Sequence, residues 1–272
     1  MNPSSARALG IDIGSTTTKL CAVDGHGRRV WHAIEATEPR IQDQVRRLLQ
    51  RARGDGVPAG LDLLATGYGR KLVPEARAAL TEIGCHARGV HRELGHGGTL
   101  IDIGGQDTKV IAVGDEGKVQ NFAMNDKCAA GTGRFLEVTA ARLQVPLDEM
   151  ARLALAAPEE VSISSTCTVF AESEIVSLIA RGAEVAAIVR GLLRALARRV
   201  GALARSAGVR PPLLLSGGVA RNEAVRRLLS EELALPATLP AEPQLMGAYG
   251  AALAALELQS QPPAGQSGGS PS

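Results

Sequence analysis

The sequence is poor in aromatic residues, and it lacks the motifs of several common nucleotide and metal sites. Aromatic side chains make up 2% of the 272 residues, which weakens any expectation of base stacking on single-stranded nucleic acid. There is no Gly-x-x-x-x-Gly-Lys-Ser/Thr loop, and no Gly-x-Gly-x-x-Gly opens a helix after a strand. A P-loop and a dinucleotide-binding turn are therefore disfavoured. None of the four cysteines forms a Cys-x-x-Cys pair, so neither a zinc ribbon nor a thioredoxin-like motif is present.

An excess of charge of one sign and long apolar runs are missing as well. The chain has 30 basic and 28 acidic residues, for a formal net charge of +2, so no global field favours nucleic acid or an anionic membrane. No run reaches membrane-spanning length, and no apolar signal segment precedes the first strand. We therefore expect a cytoplasmic protein with no nucleic-acid or membrane partner. The 45% hydrophobic content is sufficient for a sizeable core.

What the sequence does contain is an internal duplication. Residues 11–23 read IDIGSTTTKLCAV, and residues 101–113 read IDIGGQDTKVIAV. We call these segments hairpin 1 and hairpin 2, because each predicts a buried strand ending in Asp, a tight Gly turn and a returning strand. Gly27 and Gly117 also match after the return strands. Such turns let backbone N–H groups approach an anion, and the Asp can orient a hydrated magnesium ion. Two facing hairpins would hold one nucleotide.

A further Gly turn, Ser-Gly-Gly-Val at 216–219, follows the apolar strand 213–215 and precedes a helix from Asn222. A Gly pair of this kind is often only a tight connection. Its position at the carboxyl end of a strand, after both hairpins, suits an adenosine lying against the backbone. Strands that alternate with helices predict α/β layers. This order resembles the actin-like ATPase fold, with duplicated ribonuclease-H-like lobes of mixed sheets flanked by helices.

The sequence predicts two lobes and a tail. Lobe one spans 1–95 with hairpin 1, lobe two spans 96–258, and 259–272 form a disordered tail of Gln, Ser, Pro, Ala and Gly. Within lobe one we expect a helix ending at Leu80, directly before the second hairpin. The Arg-rich helix around residues 190–199 is predicted to present a solvated face rather than a partner-docking surface.

The four cysteines divide into two groups. Cys21 lies inside an apolar strand and is predicted to be a small core residue. Cys85 precedes His86, with His91 and His96 downstream. A metal site there is conceivable, although scattered His residues on a loop more often face solvent.

Cys128 and Cys167 each stand ahead of a predicted helix, in segments of small and polar residues. Residues 125–137 read NDKCAAGTGRFLE, and residues 164–174 read SSTCTVFAESE. Helix starts offer free N–H groups and the positive end of the macrodipole, which stabilise a thiolate. From spacing alone, structural cysteines and metal ligands are equally open. Two thiolates are too few for a cubane cluster, but a twofold dimer would supply four.

These two segments, together with Asp102 to Asp107 and the turn at 216–219, resemble the activator component of 2-hydroxyacyl-CoA dehydratases. That family also holds the ATPase subunits of benzoyl-CoA reductase. The resemblance implies a homodimer with one bridging 4Fe–4S cluster held by Cys128 and Cys167 of each chain, and ATP bound with Mg²⁺ in each chain. It implies that ferredoxin or flavodoxin supplies one electron, which ATP hydrolysis drives to a dehydratase component carrying its own iron–sulfur cluster.

The predicted roles follow from this interpretation. Asp12 and Asp102 orient the hydrated magnesium ion, and Gln106 positions the attacking water. The predicted phosphate contacts are Gly14, Ser15, Thr16, Thr17, Gly104 and Gly105, and Lys19 is also predicted to bind the nucleotide. Gly217, Gly218, Val219 and Asn222 are predicted to line the adenosine, with Gln244 reaching the nucleotide from the next turn. Asp107 and Lys109 are expected to brace hairpin 2.

Three alternatives remain open at this point. A benzoyl-CoA reductase ATPase subunit would share the chemistry but stay assembled with its partner chains. A small-molecule kinase of the same fold would need a carboxylate base and no iron. A non-enzymatic, nucleotide-dependent interaction protein would use its cysteines only structurally.

Overall fold

The computed structural model describes residues 2–164 and 167–260, which form two compact units. Unit 1 comprises 2–85 and 247–260, and unit 2 comprises the described residues of 86–246. Each unit contains one five-stranded mixed sheet. Among the described residues, no helix has both the length and the apolar character that crossing a bilayer requires.

The sheet of unit 1 is built around the first strand of hairpin 1. Its strands are β1 (Ala6–Ile13), β2 (Thr17–Asp24), β3 (Arg29–Ala36), β4 (Asp62–Gly67) and β5 (Ala78–Ala79). They lie in the order β3-β2-β1-β4-β5. The first three are antiparallel, whereas β4 runs parallel to β1 and β5 parallel to β4.

Helices cover both faces of this sheet. Leu9, Ile11 and Ile13 of β1 pack in one cluster with Val45 and Leu48 of α1 (Ile41–Gly54). Gly10 faces the other way, where a Cβ would collide with the backbone of α8 (Met246–Ser260). Only glycine therefore permits this contact between strand and helix.

Unit 2 repeats the arrangement with a larger helical layer. Its strands are β6 (Gly98–Ile103), β7 (Thr108–Val113), β8 (Val119–Asn125), β9 (Leu213–Ser216) and β10 (Ala237–Thr238), in the order β10-β9-β6-β7-β8. Its helices are α3 (Gly133–Leu143), α4 (Met150–Ala156), α5 (Thr168–Ala180), α6 (Val185–Ala207) and α7 (Glu223–Leu233). Apolar residues of α6 pack with Ile101, Leu213 and Leu215 of the sheet in one core.

Two local predictions were wrong. The helix predicted to end at Leu80 is replaced by the short strand β5, because Arg77 and Leu80 donate backbone hydrogen bonds to Leu63 and Ala65 of β4. Of the histidines predicted to lie on a loop, His86 and His91 lie instead in the helix α2 (Glu82–Leu94), whereas His96 follows it.

The boundaries also differ from those expected. The units divide at residues 85 and 86 rather than at 95 and 96, and α8 packs with unit 1. This helix continues to Ser260, two residues into the predicted tail, and the Gln259 carboxamide donates to the Arg7 carbonyl at 3.0 Å. Residues 261–272 of that predicted tail lie outside the described residues.

Candidate functional site

Hairpin 1 lies in unit 1, and its turn is closed by one short backbone bond. The Gly14 N–H donates to the Thr17 carbonyl at 3.0 Å, which leaves Ser15 and Thr16 at the tip. Asp12 is buried at the end of β1, and its Oδ2 lies 3.1 Å from Nζ of Lys19. Its Oδ1 is also buried, and among the described residues it has no hydrogen-bond partner. A buried carboxylate oxygen of this kind suits a bound cation or its water shell.

Hairpin 2 has the same construction in unit 2. The Gly104 N–H donates to the Asp107 carbonyl at 2.9 Å, and Gly105 and Gln106 form the tip. The Gln106 side chain is exposed. Lys109 is buried, with Nζ 2.6 Å from Oδ2 of Asp107 and 3.5 Å from Oδ2 of Asp102.

The two lysines therefore brace the hairpins in the same register. Lys19 pairs across the ladder with Asp12, and Lys109 with Asp102. Both Nζ atoms are bound to carboxylates of their own hairpins, so both lysines have a bracing contact. The place of Lys19 among the nucleotide ligands stays a prediction.

The far ends of the two hairpins match as well. Gly27 and Gly117 adopt φ of 74° and 72°, and their N–H groups donate to the carbonyls of Asp24 and Gly114. Positive φ is accessible to glycine at no steric cost. Asp24 Oδ1 accepts from the backbone N–H groups of His26 and Arg28, each at 2.9 Å. Burial raises the pKa of Asp24, but these backbone bonds lower it to a net value below the usual range.

The duplication extends to a third element that the sequence reasoning missed. Thr66 and Gly67 end β4 beside Asp12 and Ile13, and Ser216 ends β9 beside Asp102, with Gly217 directly after the strand. The two glycines have φ of 87° and 88°. A Cβ on Gly67 would collide with Oδ1 of Asp12, and one on Gly217 would lie 2.9 Å from Oδ1 of Asp102. The sequence does contain a signal for this third element, since a Thr-Gly pair and a Ser-Gly pair each follow an apolar stretch.

The hydroxyl groups of this third element differ between the copies. The Thr66 hydroxyl donates to the Leu80 carbonyl at 3.2 Å, away from Asp12. The Ser216 hydroxyl donates to Oδ1 of Asp102 at 2.8 Å. His86 of α2, which the sequence reasoning placed on a loop, is buried beside that same oxygen.

The predicted adenosine turn is assembled within unit 2. The Gly217 N–H donates to the Pro243 carbonyl at 3.0 Å. A Cβ on Gly218 would lie 3.2 Å from Nε2 of Gln244, so this carboxamide sits against the glycine. Arg221 holds the same carboxamide through its Oε1 at 3.1 Å. The turn therefore brings Gln244 to the Gly pair, while its contact with the nucleotide stays a prediction.

The other two predicted adenosine residues have structural contacts of their own. Val219 is buried in the core of unit 2, which leaves its backbone as the part that can face a ligand. Asn222 caps α7, since its Oδ1 accepts from the Val225 N–H at 3.1 Å.

All four cysteines lie among the described residues, and none of them is in a disulfide there. Cys21 is fully buried in β2, as predicted, and Cys85 is buried in α2. Cys128 and Cys167 are partly exposed. Cys167 is the N-cap residue of α5, with no side-chain cap hydrogen bond. The preceding residues 165–166 of that motif lie outside the described residues.

The Cys128 segment is tied to hairpin 2 through the start of α3. The Gly133 and Arg134 N–H groups donate to the carbonyls of Gly104 and Gly105 at 2.9 and 2.7 Å. On the other side of the segment, Asn125 donates to the Cys128 carbonyl at 2.8 Å. The first turn of α3 therefore connects the predicted phosphate loop to the segment that carries this cysteine.

The Arg-rich face of α6 is held by acidic neighbours of the same unit. Arg190 lies 3.7 Å from Glu160, and Arg194 pairs with Glu160 at 3.2 Å and with Glu231 at 2.8 Å. Burial lowers the pKa of Arg194, but its hydrogen bonds to Glu231 and Glu160 outweigh this, and the pKa lies above its usual value. The pairing accounts for these two arginines without a partner protein.

Comparison with known proteins decides the family. The sequence model of the BadF/BadG/BcrA/BcrD ATPase family matches residues 9–255. The chain belongs to this family. Family membership and the hairpin geometry together support ATP or ADP binding. The resemblance drawn from the motifs is thereby confirmed.

Individual members of the ATPase family agree with this assignment. The chain is 40% identical over 252 residues to the 2-hydroxyisocaproyl-CoA dehydratase activator of Clostridioides difficile, covering 92% of this chain and 94% of the relative. It is 31% identical over 258 residues to one of the benzoyl-CoA reductase subunits of Thauera aromatica, covering 90% and 91%. The solved structure of the activator of the 2-hydroxyisocaproyl-CoA dehydratase from Clostridium difficile with bound ADPNP matches with a TM-score of 0.86 and 39% identity, covering 93% and 95%. The actin-like ATPase fold is confirmed.

Proposed function

We propose that this ATPase is an activator of a 2-hydroxyacyl-CoA dehydratase. It would transfer one low-potential electron from ferredoxin or flavodoxin to the dehydratase component, with hydrolysis of ATP to ADP and phosphate. The higher identity to a dehydratase activator than to the benzoyl-CoA reductase chain favours this function over its first alternative.

For the nucleotide, the proposed ligands are those of the two hairpins and the adenosine turn. Asp12 has a buried oxygen without a partner among the described residues, which fits a hydrated magnesium ion, and Asp102 is proposed to share this role. The N–H groups at the turn tips would donate to phosphate oxygens. The exposed Gln106 would align the attacking water, since alignment rather than strong base catalysis limits phosphoryl transfer.

For the cluster, the proposed ligands are Cys128 and Cys167 from each chain of a homodimer. Both thiols are free and partly exposed, as ligands shared across a dimer axis must be. The N-cap position of Cys167 places it at the positive end of α5, which stabilises thiolates. When bound, a 4Fe–4S cluster would hold one electron at low potential. The residues present therefore fit the group.

The observation that carries the proposed function is the pair of backbone hydrogen bonds that joins the start of α3 to hairpin 2. The Gly104 and Gly105 carbonyls accept from Gly133 and Arg134, and Cys128 lies five residues before Gly133 in the same segment, so a change at these carbonyls would act on that segment. A kinase would have no need to connect its phosphate loop to a cysteine. We therefore propose that nucleotide state alters the surroundings of Cys128.

The test is iron content and activation in strictly anaerobic preparations. We expect about two irons per chain, which is one cubane per dimer, with visible absorbance bleached by dithionite. Cys128→Ser and Cys167→Ser should lose the iron yet keep nucleotide affinity, whereas the buried-cysteine control Cys21→Ala should retain both. Wild-type protein and Cys21→Ala should switch on a purified dehydratase component only with ATP and a reductant.

Other results would reject this function. A chain that stays free of iron after reconstitution would favour the kinase or the interaction protein. Co-purification with partner chains at fixed stoichiometry would favour the benzoyl-CoA reductase assembly. Loss of nucleotide affinity with normal iron in the cysteine variants would overturn the ligand assignment.

A further inference from the structure

The two duplicated aspartates are held differently. Oδ1 of Asp12 has no hydrogen-bond partner among the described residues, and the hydroxyl of the neighbouring Thr66 turns to a backbone carbonyl. Oδ1 of Asp102 accepts from the Ser216 hydroxyl at 2.8 Å and lies 3.3 Å from Nδ1 of His86. Oδ1 therefore has two polar neighbours in hairpin 2, whereas in hairpin 1 the equivalent oxygen has no hydrogen-bond partner among the described residues.

The contacts of His86 and Ser216 with Asp102, called the clamp below, are buried. Nδ1 of His86 lies 3.3 Å from Oγ of Ser216 as well as from the Asp102 oxygen. The side chains of His86 and Asp102 are 4% and 3% exposed, so water cannot easily replace either partner. The Ser216 hydroxyl donates its one hydrogen to Asp102, so its contact with His86 assigns a hydrogen to Nδ1, and this also avoids repulsion between a bare ring nitrogen and the carboxylate. The ring N–H can then donate to the Ser216 hydroxyl oxygen, which itself donates to Asp102, and the hydrogen on Nδ1 also lies near the carboxylate.

We propose that His86 is a positioning residue for the ATPase reaction, acting with Ser216 to fix the carboxylate of Asp102. The inference rests on the proposed role of Asp102 at the hydrated magnesium ion. With Ser216 and His86 on Oδ1 and Lys109 near Oδ2, the carboxyl group has one orientation before nucleotide binds. Such preorganisation lowers the reorganisation needed when charge develops on the phosphoryl group. In hairpin 1, the open oxygen of Asp12 is left to adapt to its ligand.

The geometry can be tested without nucleotide. Long-range ¹H–¹⁵N spectra of the full-length, nucleotide-free protein should show His86 with a hydrogen on Nδ1 that exchanges slowly with water. Ser216→Ala should shift that signal, while His91→Leu should not. A His86 ring with hydrogen on Nε2 alone, or an Nδ1 signal unaffected by Ser216→Ala, would overturn the proposal.

The kinetic test uses one disruptive, one conservative and one control variant. We expect His86→Leu to lower kcat for ATP hydrolysis roughly ten- to a hundredfold, the usual effect of removing a partner that orients a functional ligand. KM for ATP should change less than about threefold, because the phosphate contacts remain. His86→Asn should recover most of kcat, since its amide nitrogen takes the place of Nδ1. His91→Leu, on the same helix but bound to the Asp115 carbonyl, should behave as wild type.

The results separate this inference from the function on which it rests. An unchanged kcat in His86→Leu, or no recovery in His86→Asn when its melting temperature matches that of wild type, would reject the positioning role. If the wild-type protein hydrolyses no ATP, the proposed function fails, while the spectra still report whether His86 clamps Asp102.

Discussion

Lys19 and Lys109 occupy equivalent positions in the duplicated hairpins, but their surroundings differ. The Lys109 side chain is 2% exposed and lies within 3.5 Å of two carboxylates, whereas the Lys19 side chain is 13% exposed and contacts one. Removing one partner of a buried ion pair leaves the other charge uncompensated in a poorly solvated site. The loss should therefore be greater in hairpin 2.

This difference predicts unequal effects of one substitution at the two positions. Lys109→Met should destabilise the protein by about 3–5 kcal/mol, because Asp102 and Asp107 would lose their shared buried cation. Lys19→Met should cost less, since water can reach the Asp12 pair more easily. Urea unfolding midpoints of both variants measure this. Equal midpoints would mean that the second carboxylate contributes little.

The residue-level predictions from sequence succeeded where the signal was local. The Asp, Gly and Lys positions of each hairpin follow one another along the chain, so their pattern could be read directly. The clamp on Asp102 could not be found in this way, because His86 and Ser216 are 130 residues apart. Only the pairing of β9 with β6 brings Ser216 beside Asp102.

At the scale of elements, the contact of β1 with α8 depends on Gly10, which has no side chain. A Cβ on Gly10 would meet backbone atoms of Ala248 and Ala252, which cannot rotate away as a side chain could. The strand that carries Asp12 would have to separate from the helix that covers it.

Gly10→Ala should therefore destabilise unit 1 by about 3 kcal/mol, at the upper end of the usual effect of overpacking. Gly54→Ala is the matched control, because a Cβ there meets nothing within 4 Å. The midpoint of thermal unfolding should fall for the first variant and not for the second, because Ala at a compatible helical position stabilises if anything. A normal midpoint in Gly10→Ala would show that α8 can shift without loss.

The elements that the sequence reasoning misplaced are those with weak local signals. The stretch before Leu80 is rich in Ala and favours a helix by propensity, but tertiary pairing with β4 makes Ala78–Ala79 a strand. α2 contains Gly84 and Gly89, and glycine is among the weakest helix formers, so local propensity disfavours a helix there.

At the scale of the whole molecule, the proposed activity requires the nucleotide to influence a cysteine. In unit 2 backbone hydrogen bonds join Gly104 and Gly105 to Gly133 and Arg134. The chain leads from Gly133 back to Cys128, whose carbonyl accepts from the Asn125 side chain. The spacing at Gly133 is tight, since a Cβ would lie 3.1 Å from the Gly104 carbonyl and 3.2 Å from Cα of Gly105. Alanine at this position would push the start of α3 away from hairpin 2.

Hydrogen exchange of the full chain, with and without a magnesium complex of a non-hydrolysable ATP analogue, tests this connection. In wild type the analogue should slow exchange roughly fivefold or more both in hairpin 2 and in residues 126–136, a typical size for coupling between sites. Gly133→Ala should keep the protection in hairpin 2 and lose it in the cysteine segment. Because Ala favours helix more than Gly does, a weaker α3 would not explain that loss. Protection confined to hairpin 2 in the wild-type protein would show that the nucleotide reaches Cys128 by some other route, or not at all.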